Sequence, residues 1–177
     1  WIYSTTKAVD EMLGLAYWRE KKLPVLTVRF FNVIGPRQTG DFGMVVPRMV
    51  KQALLGHPIT VYGDGEQRRC FTDIEDALDG LTSLADHPDS PGEIFNLGGN
   101  VETNEISIKD LAHKVKALTE SAAPIEFVPY DKAFAKGSYE DLNYRVPDLQ
   151  KIRSIVGYEP KMGLDLTLRR IIEYFES

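Results

Sequence analysis

The sequence predicts an α/β protein whose strands pair in parallel, and three observations predict it. Stretches with helical spacing of apolar residues alternate along the chain with short β-branched and aromatic runs. Glycine and proline punctuate most of the changes from one to the other. The longest apolar run, PVLTVRFFNV at 24–33, is nearly continuous rather than alternating, the pattern of a strand covered on both faces.

Residues 4–21 avoid proline and place apolar residues at 8, 9, 12, 13 and 15–18, a helical face wider than one-sided packing requires. Pro24 stops that helix, and 24–33 follows as a buried strand that empties into the loop GPRQTGDFG. Residues 44–55 read as helix, ITVY at 59–62 as a short strand and GDG at 63–65 as a turn. The segment 73–85 is helical, with Ile74, Ala77, Leu78 and Leu81 on one face. GEIFNLGG at 92–99 is a strand ending in a glycine turn. Within 103–119 lies a helix striped by Ile108, Leu111, Ala112, Val115 and Leu118. IEFVP at 125–129 is a strand and 131–144 a polar loop. Helices over 148–156 and 164–176 close the chain on either side of 157–163.

Composition excludes several classes of function. Hydrophobic residues make up 43% and charged residues 27%, as in ordinary globular proteins. The net charge of -5 gives no electrostatic reason to bind nucleic acid or an anionic membrane. No apolar run approaches the roughly 20 residues that cross a bilayer, and no signal peptide is visible. The single cysteine, Cys70, rules out an internal disulfide and suits a reducing, cytoplasmic compartment. His57, His87 and His113 lie far apart with no ligand-like spacing, so no metal is expected. The chain starts at Trp1 with the helical pattern already under way by residue 4, which suggests a piece of a longer protein. A strand followed by a Gly-rich turn and helix, the usual dinucleotide-binding opening, is missing, and LGG at 97–99 does not replace it.

YSTTK at 3–7 pairs a tyrosine with a lysine four residues on, but Tyr17 and Lys21 have the same separation, so spacing cannot choose between them. Six segments in one order can. YSTTK, RFFNVIGPR (29–37), VYGDGEQRRCFTDIEDA (61–77), FNLGG (95–99), YRVPD (144–148) and GYEPKMGL (157–164) together resemble the extended short-chain dehydrogenase/reductase family that modifies nucleotide sugars. That family includes UDP-sugar 4-epimerases, UDP-glucuronate decarboxylases and sugar 4,6-dehydratases. The resemblance runs from Tyr3 to the C-terminus and selects Tyr3 over Tyr17. It implies the second half of an extended Rossmann-type fold plus a small α/β substrate-binding domain. Residues 1–33 and 72–100 would be the remaining Rossmann elements, and 34–71 and 101–177 the nucleotide-sugar-binding domain. The N-terminal NAD-binding half, with its pyrophosphate loop and the Ser/Thr partner of the tyrosine, would be absent from this sequence. The 177-residue chain by itself is then expected to bind NAD poorly and turn nothing over.

The implied chemistry fits the residues. Oxidation at sugar C4 needs a base beside the C4 hydroxyl, and a free tyrosine, with a pKa near 10, is only about 0.1% ionised at pH 7. Neutral operation asks for roughly 4 kcal/mol of preferential stabilisation of the phenolate. Lys7, one helical turn from Tyr3 on the same face, supplies a positive charge, and the resemblance also gives it the nicotinamide ribose. Phe30 and Phe31 read as core residues, with Phe30 the candidate to flank the nicotinamide.

For the substrate, the resemblance places Asn32 near the diphosphate and Tyr62 against the uracil or thymine. It makes Arg69 and Arg145 the bidentate partners of the diphosphate. Arg37 stands in the loop either near the sugar or in a purely structural place. Arg68 falls on the opposite strand face as a solvated neighbour. Asp76 reads as a first-turn helix acid and Asp148 as a helix N-cap, while Asp131, Glu140 and Asp141 read as solvated loop charge. The resemblance also implies a homodimer through helix 4–21, for which Met12, Leu15, Ala16 and Trp18 are available.

The first expectation is NAD-dependent 4-epimerisation of a UDP- or dTDP-linked hexose. UDP-glucuronate decarboxylation is the alternative, because a C4 ketone makes the uronate a β-keto acid that loses CO2. QRRCFTDIEDALDGL and AKGSYEDLNYRVPD look decarboxylase-like, and a 4,6-dehydratase shares the same apparatus. A nucleotide-sugar or NAD-binding module without catalysis is the competing class, which the intact Tyr3 and Lys7 disfavour.

Overall fold

The structure, a computed structural model, describes residues 2–40, 44–133 and 142–177. Part of the GPRQTGDFG loop, together with Glu140 and Asp141 of the expected loop charge, lies outside the described residues.

Helix α1 (Ile2–Lys21) runs without interruption until Lys22, whose left-handed φ of 56° turns the chain toward Pro24. Strand β1 (Thr27–Phe30) and the two-residue β2 (Val33–Ile34) follow. Helix α2 (Val45–Leu54) buries Val46, Met49, Val50 and Ala53, the i, i+3, i+4 pattern of one apolar face. Strand β3 (Ile59–Tyr62) alternates buried and half-buried positions. The chain then makes β4 (Arg68–Cys70), β5 (Thr72–Asp73), α3 (Ile74–Asp86) and β6 (Ile94–Leu97). A one-turn helix α4 (Val101–Asn104) and strand β7 (Glu105–Ser107) lead into α5 (Ile108–Leu118). Ser107 caps α5, its hydroxyl accepting the Asp110 amide at 3.0 Å and donating to the Asp110 carboxylate at 2.7 Å. Strand β8 (Ile125–Val128), the turn α6 (Tyr130–Ala133), β9 (Tyr144–Arg145), α7 (Gln150–Val156) and α8 (Leu164–Glu176) complete the order. Gly157, with φ of 65°, ends α7 in the left-handed conformation that favours glycine.

Parallel pairing dominates. β1 lies beside β6, β2 beside β5 and β3 beside β8, each in parallel, while β4 pairs antiparallel with β7 and parallel with β9. Two cores form. One gathers α2, β3, α5 and α8 around Met49, Val61, Leu111 and Leu168. The other gathers Ala77, Leu84, Phe95, Leu97, Ile152 and Tyr158 between α3, β6 and α7.

Several expectations need correction. Strand 24–33 is shorter than its apolar run and is not buried: β1 is half-buried to exposed, and Phe30 is 44% exposed rather than core. The buried face of α3 is rotated from the expected stripe, so that Asp76, Ala77, Gly80 and Leu84 face inward while Ile74 and Leu78 face out. Residues 131–144 are not all loop, since α6 opens the stretch and β9 closes it. β4, β5, β7 and β9 have two or three residues each, too few for periodicity to register.

Candidate functional site

Helix α1 is fastened to β1 by charge and by close packing. Arg29 of β1 donates from Nε and Nη2 to the two carboxylate oxygens of Glu11, at 2.6 and 2.7 Å. One turn further along α1, Gly14 lies against Val25 and Thr27, and the Trp18 indole rests on Gly92. Helix numbers fall as strand numbers rise, so the two elements run antiparallel. At 1.5 Å per helical residue and about 3.3 Å per strand residue, Tyr3 lies roughly 12 Å beyond Glu11 and Asn32 roughly 10 Å beyond Arg29. Tyr3 and Lys7 are thereby carried toward the carboxyl end of the β1–β6 pair, the end where open α/β sheets bind ligands.

Tyr3 is 74% exposed, and the Lys7 ammonium lies 5.8 Å from its ring centroid. Lys7 also donates to Asp10 at 2.7 Å, and that hydrogen bond, then the Asp10 charge, raises the Lys7 pKa. Sequence spacing did not single out Asp10, because an acid three residues from a lysine is ordinary on a helix surface.

Asn32 sits just past β1 with φ of 42°, a left-handed conformation that asparagine tolerates better than most residues. Its Nδ2 donates to the Cys70 carbonyl at 2.9 Å, and its own carbonyl accepts the Thr72 amide at 3.1 Å. Asn32 therefore ties the end of β1 to β4, beside Arg69. Cys70 is buried, and burial pushes its thiol up to about 12.

Arg69 and Arg145, 76 residues apart in the chain, are partners in the β4–β9 register. Residues in register on adjacent strands present their side chains on the same face. Arg69 is only 8% exposed, and its Nη1 donates to the carbonyls of Leu142 and Arg68 at 2.7 and 2.8 Å. Arg145 is exposed, its guanidinium carbon 5.9 Å from the Phe31 ring. Two guanidinium groups on one face of neighbouring strands can meet a dianion from two sides. Arg68 points the other way, paired with Glu105 at 2.6 Å, as alternation requires.

Tyr62 ends β3 half-buried, with the Arg48 guanidinium 4.2 Å from its ring centroid. Arg48 was not visible in the sequence as a partner, since only the packing of α2 on β3 brings it there. Arg37 is exposed, with φ of 67°.

Asp76 is no exposed helix-start acid. It is 4% exposed and its two oxygens accept the amides of Lys161 and Met162 at 2.9 Å each, fastening the segment before α8 to α3. Asp148 lies one residue before the observed N-cap, Leu149, and accepts the Gln150 amide at 2.8 Å. Of the four side chains offered for a dimer, Met12 is 70% exposed, whereas Leu15, Ala16 and Trp18 are half-buried against the chain. Ile2, Val9 and Leu13 are exposed instead. Among the described residues, no group of three His, Cys, Asp or Glu could hold a metal, and no helix is long and apolar enough to cross a membrane.

Residues 1–98 match the NAD dependent epimerase/dehydratase family, more than half of the chain. The chain belongs to that family. Among curated members it is 36% identical, over its full length, to the UDP-N-acetyl-alpha-D-glucosaminuronate decarboxylase of Bacillus cytotoxicus, covering 54% of that protein. It is 35% identical, over 99% of its length, to UDP-glucuronic acid decarboxylase 1 of Arabidopsis thaliana, of which it covers 38%. Among solved structures it resembles the UDP-glucuronic acid 4-epimerase of Bacillus cereus in complex with UDP-glucuronic acid and NAD. There the TM-score is 0.85 at 28% identity, over 98% of this chain and 52% of the other. The chain thus spans about half the length, or less, of the epimerase/dehydratase family members it matches. Its α/β fold with parallel strands is the Rossmann-like fold of those members.

Proposed function

We propose that this chain forms part of an NAD-dependent enzyme that oxidises C4 of a nucleoside diphosphate-linked hexuronate and releases its carboxylate as CO2. The observation that carries the proposal is the β4–β9 register, which sets Arg69 and Arg145 on one face near the carboxyl end of β1. Two arginines so placed suit a diphosphate, and Tyr62, on the separate β3–β8 pair, suits the base. The exposed phenol of Tyr3 and ammonium of Lys7, a turn apart and directed to the same end, fit the nicotinamide ribose of NAD, and the exposed ring of Phe30, at the end of β1, fits its nicotinamide. NAD, when bound, would accept hydride from C4.

Tyr3 takes the proton of the C4 hydroxyl, and Lys7 favours its phenolate by charge. Asn32 and Arg37 approach the diphosphate and sugar from the loop after β1. A ketone at C4 makes the C6 carboxylate a β-keto acid, so carbon–carbon cleavage needs no further oxidant. The C5 enolate left by loss of CO2 takes a proton, and return of the hydride to C4, with the proton on Tyr3 going back to the C4 oxygen, gives the pentose with no net redox change.

The two curated relatives named above, both decarboxylases of UDP-uronates, favour decarboxylation over the 4-epimerisation that the sequence put first. Epimerisation is kept as the second reading because the Bacillus cereus structure is a 4-epimerase acting on the same class of sugar. Alongside these goes the division into 1–33 with 72–100 and 34–71 with 101–177. The two hydrophobic cores support it, although α7 and Tyr158 pack with the first group. A homodimer through the exposed face of α1 and residence in the cytoplasm complete the proposal. Light scattering on the full-length protein should give a dimer, and a monomer would remove that part.

The test gives the full-length protein NAD with UDP-glucuronate, and separately UDP-glucose, and follows the sugar anomers by proton NMR. A UDP-pentose signal with CO2 release is expected. A C4 epimer without CO2 would replace decarboxylation by epimerisation. Tight UDP binding without turnover would leave a binding module.

A further inference from the structure

Arg145 stands on a strand of two residues at the edge of its sheet, held by a single ladder to β4. So short a pairing leaves its position to what lies on either side. Two positions on, Pro147 is buried against Gly98. A Cβ on Gly98 would stand 2.4 Å from Pro147 Cγ, 2.9 Å from Pro147 Cβ and 3.3 Å from the Cβ of Phe31. Phe31 is the ring beside the Arg145 guanidinium. Gly98 therefore touches both residues that flank Arg145. It is itself held, because its carbonyl accepts the Tyr158 hydroxyl at 2.9 Å and the preceding Leu97 carbonyl accepts the Phe31 amide at 3.0 Å.

We infer that Gly98 is a positioning residue for Arg145: its missing side chain lets Pro147 seat directly on the end of β6, and that seat sets where the guanidinium stands relative to Arg69. The inference rests on the reading of Arg145 as a ligand of the diphosphate. One added methyl at Gly98 forces Pro147 outward by about 1 Å to regain van der Waals distance. A displacement of that size misaligns the hydrogen bonds a positioned guanidinium can make, and these weaken steeply with distance and angle. It should act on diphosphate binding and leave the nucleoside alone, since Tyr62 is on another sheet, β3–β8.

The experiment uses the full-length protein and two probes, UDP by calorimetry and uridine, which lacks the diphosphate, by NMR titration. Arg145→Ala and Gly98→Ala should each weaken UDP by about tenfold or more with uridine unchanged. Pro147→Ala adds no atom and serves if Gly98→Ala does not fold; it should weaken UDP several-fold, again sparing uridine. Wild-type UDP affinity in both Gly98→Ala and Pro147→Ala, with Arg145→Ala impaired, overturns the positioning role. Equal losses for UDP and uridine overturn it too, as a general defect. Wild-type UDP affinity in Arg145→Ala instead sinks the ligand reading on which the inference stands.

Discussion

Helix α1 and the α2–β3–α5–α8 layer are both rich in apolar residues, yet the chain treats them in opposite ways. The layer closes on itself: Val46, Met49, Val50, Ile59, Val61, Leu111 and Leu168 are fully buried, and its strand and helices cover one another. No residue of α1 is buried, and Ile2, Val9, Met12 and Leu13 face outward beside Tyr3. The part that grips a nucleotide in the proposed reading is thus self-supporting, and the part that carries the acid–base pair is not. An exposed apolar helical face of this extent marks a surface made for contact. The Glu11–Arg29 pair and the Trp18–Gly92 contact hold α1 in place without burying it.

Substitutions on the two sides should separate chemistry from stability. Tyr3→Phe in the full-length protein should lower kcat by about 10²- to 10⁴-fold, the usual weight of a general acid–base, with unchanged UDP affinity and melting temperature. Loss of UDP binding in that variant would break the division. Leu168→Ala, in the closed layer, should cost about 2–5 kcal/mol in denaturant unfolding, because it opens a cavity in a packed core. Arg69→Ala should weaken UDP by roughly 10- to 100-fold through loss of charge-assisted hydrogen bonds and leave kcat at saturating substrate less affected.

A pH titration adds a smaller effect on the buried side. Burial, then the charge of Glu105, raises the Cys70 thiol from 9.0 to about 12, and burial pushes the Tyr158 phenol up as well. Between those values the unfolded chain has released a proton that the folded chain keeps. Stability should therefore fall as pH rises from about 9 toward 12, and Cys70→Ser should flatten part of that fall in urea titrations. The smallest effect belongs to Met12→Ala, which should stay within about 0.5 kcal/mol in dilute monomeric protein. A larger loss would show that α1 is covered under those conditions.

Much of this arrangement was legible beforehand. The helices at 2–21, 45–54, 74–86, 108–118, 150–156 and 164–176 fall within a few residues of their periodic stretches, because each buries or could bury one 3.6-residue stripe. The candidate residues Arg69 and Arg145 were readable only as members of motifs. Their adjacency was not, because it depends on two strands of two or three residues that carry no period. The rotation of the α3 face was illegible for a related reason: Ile74 and Leu78 are apolar, but Asp76 is drawn inward by the Lys161 and Met162 amides.

By itself the sequence determined the α/β class, the order of its longer helices and strands, and the Tyr3–Lys7 pair one turn apart on a helix. Those follow from local spacing and from groups of residues that stay together in the chain. Only the tertiary structure decided that Asn32 braces β4 and that Arg69 meets Arg145 in register. It also decided that Gly98 seats Pro147, and that the longest helix, α1, buries none of its residues. Each of these depends on contacts between segments dozens of residues apart, whose geometry is fixed by sheet register and core packing rather than by any pattern within one segment.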